Sequence, residues 1–430
     1  MSSNYNFLEK KIARMLSTSP FIKQKIKKFY SNIQFYINKK KYNVKTVDPV
    51  SIINSEGAET FFGYYDKTPD NGLGLVLVYS TKESTKLKPK EVEEIFLDVY
   101  SLENKEYILP EKINVKAFNW QQGSRAHWLD SDHFIFNDYC SSADDYHSYI
   151  YSLSAGRIVK ELSHPVQDSF KSDYILSISY KTLAVLRPDY GYFRHSSSKE
   201  TNLEDNDGIW KLDLESNKSE LLLTIKDICS MDFLGDYQDY KHKINHVMIS
   251  PDGSQFIFMH RYFNANGKRV DRLFLSDSRG KSIRLISNFG MVSHCYWYDS
   301  DNILAYLRSK EGKDAYWKID INTLTFVELN DGVFSPFGDG HPSVSNKMII
   351  TDTYPNKSRM QLLLLTFKGV NSYTKLGEFY HSSDFSGETR CDLHPRFSSC
   401  GNLIFFDTVY SGSRRLCYLD ISRELTKYES

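Results

Sequence analysis

The chain has 430 residues, 14% of them aromatic, enough for a large core and too many for one ordinary compact domain unless the fold is a repeat. Its 54 basic and 54 acidic residues cancel at neutral pH, so no global field favours nucleic acid as a partner. The six cysteines form no CxxC pair, and no apolar run reaches the ~18 residues of a membrane span, which argues against a disulfide framework, a zinc ribbon and a transmembrane helix.

The opening segment, MSSNYNFLEKKIARML, lacks the continuous apolar stretch of a secretory signal, so a cytoplasmic location is the expectation. Phe7, Ile12, Met15 and Leu16 fit helical spacing, as do Ile22, Ile26, Phe29, Ile33 and Ile37, with Ser19-Pro20 between the two predicted helices. The second is basic through Lys23, Lys25, Lys27 and Lys28, followed by Lys39, Lys40 and Lys41. Residues 1–50 therefore read as a basic amphipathic extension. It either packs on the rest of the chain with a solvated lysine face or lies peripherally on an anionic inner membrane.

From residue 55 the pattern becomes strand, turn, strand. The first unit holds FFGYYDKTPDNGLGLVLVYS, the second QQGSRAHWLDSDHFIFND and the third YILSISYKTLAVLRPDYGY. The next four carry His246 in NHVMISPDG, His294 in SHCYWYDSD, His341 in GHPSVSNK and His394 in LHPRFSSCG. Each histidine precedes a turn and then an apolar run: FIFMH, ILAYL, MIITD and LIFFD. A period of about fifty residues built from short strands is the signature of a propeller blade. The expected fold is all-β, a seven-bladed β-propeller over residues 55–425. A β-sandwich does not account for seven copies in register.

In a propeller the first strand of each blade lines the central channel, so equivalent positions in different blades converge. The column containing the histidines reads Tyr64, Arg125, Ile175 or Leu176, His246, His294, His341 and His394. The second strand of a blade returns to the same mouth, and its end contributes Asn137, Arg187, Arg261, Arg308, Asp352 and Asp407. Loops just beyond carry Asp138, His147, Tyr190, Tyr192 and Tyr262. Histidines, arginines, tyrosines and carboxylates thus collect on one face, which is the candidate site. One imidazole alone is usually structural, but four in register point to a bound metal. His246, His294, His341 and His394 are the candidate ligands, with Zn or Mn the fitting ions. Cys391, three residues before His394, could add a thiolate and would favour zinc.

These segments resemble the propeller polysaccharide lyases, ulvan lyases especially and oligogalacturonate lyases more distantly. The resemblance is carried by FFGYYDKTP, QQGSRAHWL, RPDYGY, NDGIW, NHVMISPDGSQFIFMHR, GMVSHCYW, DGHPSV with TDTYP, and RCDLHPRFSSCGNLIFFD. It implies a metal held by His and Cys near the channel, His and Tyr as acid and base, and Arg neutralising a uronate carboxylate. Carried over by position, it implies catalytic roles for His127, His147 and Tyr192. The arginine that should follow is not in the stretch near NDGIW, which leaves Arg261 or Arg194 to substitute. Tyr64, Arg125, Tyr190 and Arg187 are the expected substrate contacts.

Two functions follow as expectations. One is metal-assisted β-elimination on an acidic oligo- or polysaccharide. The other is surface or capsular polysaccharide biosynthesis, as a glycosyltransferase or a non-catalytic glycan-binding partner docked at the inner membrane. Serine-hydrolase and nucleotide-binding readings are excluded, since GxSxG, GxGxxG and Walker motifs do not occur.

Overall fold

The computed structural model of the protein describes residues 33–39, 41–42, 44–194, 207–231, 240–264 and 269–429. Its strands form seven antiparallel sheets, each following the chain from the innermost strand outward. Blade 1 comprises Glu59–Phe61, Leu75–Thr81 and Ile95–Ser101, with Glu106–Tyr107 and Ile113–Val115 along its outer edge. Blade 2 comprises His127–Trp128, His133–Cys140, Asp145–Ser152 and Arg157–Leu162. Blade 3 comprises Asp168–Phe170, Tyr174–Ser177, Gly208–Asp213 and Ser219–Thr224. Blade 4 comprises Lys241–Ile249, Gln255–Phe263, Arg269–Asp277 and Ile283–Ser287. Blade 5 comprises Val292–Trp297, Asn302–Arg308, Asp314–Asp320 and Phe326–Glu328. Blades 6 and 7 begin with Ser343–Val344, Met348–Asp352, Met360–Phe367 and Thr374–Tyr380, and with Arg396–Phe397, Leu403–Thr408 and Arg415–Asp420.

The segment before blade 1 completes the last two blades. Lys45–Thr46 pairs with the outer strand of blade 6, and Ser51–Ile53 pairs with Arg415–Asp420 as the fourth strand of blade 7. The propeller therefore begins about ten residues earlier than the repeat pattern implies. Of the two helices expected in residues 1–50, only residues 33–38 fall among those described, and they are helical. Residues 1–32 lie outside the described part.

Blade packing explains the sequence pattern. A strand sandwiched between two neighbouring sheets is buried on both faces and reads as a continuous apolar run rather than an alternation. Phe256, Ile257, Phe258 and Met259 are all fully buried, whereas the outer strand Arg157–Leu162 is mostly exposed. Apolar clusters fill the interfaces between blades, for example Met248, Ile257 and Leu273 against Val292, Cys295 and Ile303. Burying each such side chain contributes about 1.5–3 kcal/mol. The Pro251-Asp252-Gly253 hairpin shows the turn chemistry. Gly253 has φ 75° and donates its N–H to the Ser250 carbonyl at 2.9 Å.

Blade 3 departs from the expected register. The apolar stretch YILSIS is its second strand, and Asp168–Phe170 is the innermost one. Ile175 and Leu176 consequently pack in inter-blade cores instead of occupying the column of axial residues. The stretch YKTLAVL is an α-helix, Tyr180–Leu186, capped by the Ser179 hydroxyl, which accepts the Thr182 N–H at 3.1 Å.

Candidate metal centre on the propeller axis

The inner strands bring the four column histidines into mutual contact. Ring centroids lie 6.1 Å apart for His246–His294, 4.2 Å for His294–His341 and 4.3 Å for His341–His394. Tyr64 closes the circuit, 4.9 Å from His394 and 5.3 Å from His246. All five side chains are buried. Backbone conformation helps aim them. Arg125, His246 and His394 have φ of 59°, 56° and 45°, a left-handed geometry that costs a non-glycine residue roughly 1 kcal/mol or more. The ladder also slips between Asn245 and Met248 and between Val292 and Cys295. Such bulges turn a side chain out of the sheet's alternation.

Hydrogen bonding fixes which ring nitrogen each histidine presents. Nδ1 of His294 lies 3.0 Å from Asp339, Nδ1 of His341 lies 2.8 Å from Asp352, and Nδ1 of His394 lies 3.1 Å from the Gly63 carbonyl. An oxygen acceptor at Nδ1 requires the proton there, so in the neutral ring the Nε2 lone pair is free. Nε2 of His341 and of His394 are buried without a hydrogen-bond partner. Each orphan costs about 1–3 kcal/mol. A ring nitrogen of each lies with an Asp392 oxygen in a group spanning no more than 4.8 Å. Two imidazoles oriented by second-sphere oxygens, together with a carboxylate held by Arg390, fit a divalent cation. His246 differs: its Nε2 is 2.9 Å from the Tyr64 hydroxyl, and its Nδ1 faces the Asn245 amide at 3.2 Å.

The electrostatics favour a positive guest. Asp339 and Asp392 are held below the usual carboxylate range. Burial opposes their ionisation, but His294 and Ser293 outweigh it for Asp339, and Arg390, His341 and His394 outweigh it for Asp392. Burial also disfavours the His341 imidazolium, yet Asp352 and the other two carboxylates together raise its pKa. His246 and His394 are pushed well down, by burial first and then by neighbouring cationic groups. Asp339 and Asp352 rest on imidazoles, the Ser293 hydroxyl and backbone N–H groups.

An arginine network flanks this cluster. Arg390 donates to Asp392 at 2.6 Å, to Asp189 at 2.9 Å and to the Tyr190 hydroxyl at 3.3 Å. Arg187 pairs with Asp189 at 3.0 Å and lies over the Tyr190 ring, 4.6 Å from its centroid. Tyr190 packs edge-on against Tyr64 and His246. About a fifth of each arginine side chain is exposed, at 21% and 23%. The arginines thus connect the buried cluster to solvent.

Of the residues singled out from sequence, His246, His294, His341, His394, Tyr64, Tyr190 and Arg187 come together here. Others are placed elsewhere. Cys391 packs with Phe385 and Val409, its thiol pushed up to about 12 by burial, and the adjacent Asp392 takes the position expected of it. Arg125 is committed to Asp66 through both terminal nitrogens at 2.8 Å and to the Gln167 carbonyl, which leaves it a buried strut. His127 has both ring nitrogens engaged, with the Arg125 carbonyl at 2.8 Å and Ser169 at 2.7 Å. Tyr192 is fully buried, stacked on Tyr180 at 4.2 Å and accepting from Asn137. His147 stands on the third strand of blade 2, paired with Glu161 at 2.7 Å.

Arg261 is explained by its place at the end of a second strand. It meets Asp271 at 3.0 Å and donates to the Val292 carbonyl of the next blade at 2.7 Å. Asn137 likewise holds the Val166 backbone, Asp352 the His394 N–H, and Asp407 the N–H groups of Phe62 and Gly63. These second-strand ends tie blade 2 to 3, 4 to 5, 6 to 7 and 7 to 1, whereas Arg308 pairs with Asp314 of its own blade. The residues of this candidate site missed from sequence are Asp339 and Asp392, with Tyr65, which packs on His294 and His341. A signal for the two acids was present: each lies two residues before a column histidine, as Asp339-Gly340-His341 and Asp392-Leu393-His394.

No family model matches the sequence, and comparison with curated proteins gives no match either. Solved structures do match. An oligogalacturonate lyase from Vibrio parahaemolyticus is 14% identical, with 88% of this chain and 97% of that one covered and a TM-score of 0.56. An oligogalacturonate lyase in complex with manganese is 11% identical, with 89% and 96% covered and a TM-score of 0.57. A puromycin hydrolase is 10% identical, with 81% of this chain but 51% of that one covered and a TM-score of 0.51. Since a hydrolase and lyases share the architecture, these likenesses speak to fold: the chain is a seven-bladed β-propeller of the form seen in oligogalacturonate lyase.

Proposed function

We propose that the axial cluster is a divalent-metal centre, and that the protein acts on an acidic, uronate-containing oligo- or polysaccharide by β-elimination. The observation that carries this reading is the pair of orphaned Nε2 atoms on His341 and His394 beside Asp392. The fold shared with an oligogalacturonate lyase that binds manganese supports it. Replacing the expected Cys391 thiolate by the Asp392 carboxylate moves the donor set towards manganese, with zinc still compatible.

β-Elimination removes the proton α to the uronate carboxyl group and expels the 4-O-linked sugar. A bound divalent cation supplies Lewis-acid polarisation. Arg390 and Arg187 orient the carboxylate. His246, kept neutral by burial, takes the α-proton on Nε2 as the Tyr64 hydroxyl turns from that nitrogen to the leaving oxygen. Tyr64, whose pKa is raised well above the ordinary tyrosine value by burial, stays protonated and donates to the leaving oxygen. The hydrogen bond between them then returns the proton from His246 to Tyr64.

Elimination creates a conjugated double bond, so metal-loaded protein should raise ultraviolet absorbance with fragments of ulvan, pectin or glycosaminoglycan. His341→Ala and His394→Ala should each lose the axial metal, and Cys391→Ser should keep it. No absorbance rise across that panel would favour the second reading, a glycan-assembly protein at an anionic membrane face. That reading draws on the helix at residues 33–38, where Tyr36 and Ile37 are 77% and 73% exposed. Its check is co-sedimentation with anionic liposomes, which deleting residues 1–41 should weaken.

A further inference from the structure

Among the described residues, two groups of potential metal ligands lie outside the axial cluster, and their chemistry separates them. In blade 4, Cys229, His242 and His260 are buried together. Here the Arg272 guanidinium donates to His260 Nδ1 at 2.9 Å, and His260 Nε2 lies 2.9 Å from His242 Nδ1. An imidazole whose Nδ1 accepts from arginine carries its proton on Nε2 and passes it to the next ring. The lone pairs are spent within the chain, and a fixed cation stands beside them. That trio is a hydrogen-bonded relay.

Blade 2 offers the opposite case. Cys140 ends the second strand, His147 lies near the start of the third and Glu161 near the end of the fourth. Asp145 pairs with Cys140, and Ser148 with Leu162, which puts the three residues at one end of one sheet. A donor atom from each lies within 4.8 Å of the other two. The His147 Nδ1–H donates to Glu161 at 2.7 Å, and the Tyr149 hydroxyl donates to the same carboxylate oxygen at 3.3 Å. Asp138 lies directly opposite His147 in the ladder, so a second carboxylate stands on the same face of the sheet. The site is also open: the Glu161 side chain is 51% exposed and that of His147 is 15% exposed.

We propose that Cys140, His147 and Glu161 form a second, solvent-accessible site for a zinc-type divalent cation. Sulfur, nitrogen and oxygen donors on three adjacent strands form a rigid, mixed set suited to Zn(II). The cation takes the Nδ1 position that faces Glu161 while the neutral ring keeps its proton on Nε2, and Cys140 gives up its thiol proton, so binding releases one proton to solvent. Three protein ligands leave a fourth position for water or an external ligand. The site stands apart from the axis, and its existence does not depend on the lyase reading.

Cobalt(II) tests it in the full-length protein. A thiolate ligand gives a near-ultraviolet sulfur-to-cobalt charge-transfer band, and the axial donors contain no thiolate. Titrating metal-free protein should produce this band, saturating within two equivalents as both sites fill, with zinc displacing it. Cys140→Ser and His147→Ala should each abolish the band and lower total bound metal by one equivalent. Cys391→Ser and Cys229→Ser should leave it intact. Absence of the band from the unaltered protein, or its survival in Cys140→Ser, would overturn the assignment.

Discussion

His381 sits beside Cys391 and accepts that residue's N–H on Nε2 at 3.4 Å. Burial, helped by Arg414 and Arg359 and only partly opposed by Asp392, lowers its pKa from 6.5 to about 4. Between those values the unfolded chain binds a proton that the folded protein refuses, so stability rises with pH across the window. The contribution of this one ring is about 3 kcal/mol, complete above the unfolded value and lost as pH falls through it towards 4. Urea midpoints measured from pH 4 to 7 should therefore climb steeply, and His381→Gln should flatten the climb. An unchanged slope in that variant would assign the dependence to other histidines. At this scale the sequence showed the imidazoles well, because they recur at blade spacing. It hid the acids behind them, because Asp339 and Asp392 are picked out only by their distance from a histidine already suspected. It also misassigned Cys391, since neighbouring residues point to opposite sides of the chain and only one of Cys391 and Asp392 can face the axis.

Single strands decide whether the ring closes. Ile53 belongs to the three-residue strand that completes blade 7, is fully buried, and packs in a cluster with Phe61 and Leu416. Ile53→Asp puts an unpaired carboxylate into that interface and should cost about 4 kcal/mol or more. Ile158→Asp, on the outer strand of blade 2 where the residue is 43% exposed, should stay within about 0.5 kcal/mol. Calorimetry on the two variants would show the difference, and equal losses would mean that Ser51–Ile53 does not contribute to the closed ring. Neither Ser51–Ile53 nor Lys45–Thr46 could be read from sequence. Strands of two or three residues carry no periodicity, and their partners lie more than three hundred positions away. Blade 3 misled for the converse reason: its second strand is the more apolar, so it looked like the inner one. Units four to seven were legible because each sets a histidine ahead of a turn and a buried apolar second strand.

Across the whole molecule, adhesion between blades and chemistry at the axis are separate. Apolar clusters hold each blade to its neighbours, while the axial ring is polar and linked to them by the stitching column at second-strand ends. Stripping metal with a chelator should accordingly leave the far-ultraviolet circular dichroism unchanged. The melting temperature should fall by only a few degrees, the scale of a ligand term of about 3 kcal/mol in a large protein. Loss of strand signal on chelation would instead make the cation part of the scaffold. The splice between Ser51–Ile53 and Arg415–Asp420 has one more implication, for how the protein is made. At about 5–20 residues per second, a ribosome delivers the second partner roughly half a minute after the first. Throughout that interval the isoleucines of the early strand have nowhere to dock, and the nascent disc is an open horseshoe with two sticky rims. A newborn chain stalled before its last hairpin is thus a natural client for a holding chaperone, and a natural seed for aggregation if none is at hand.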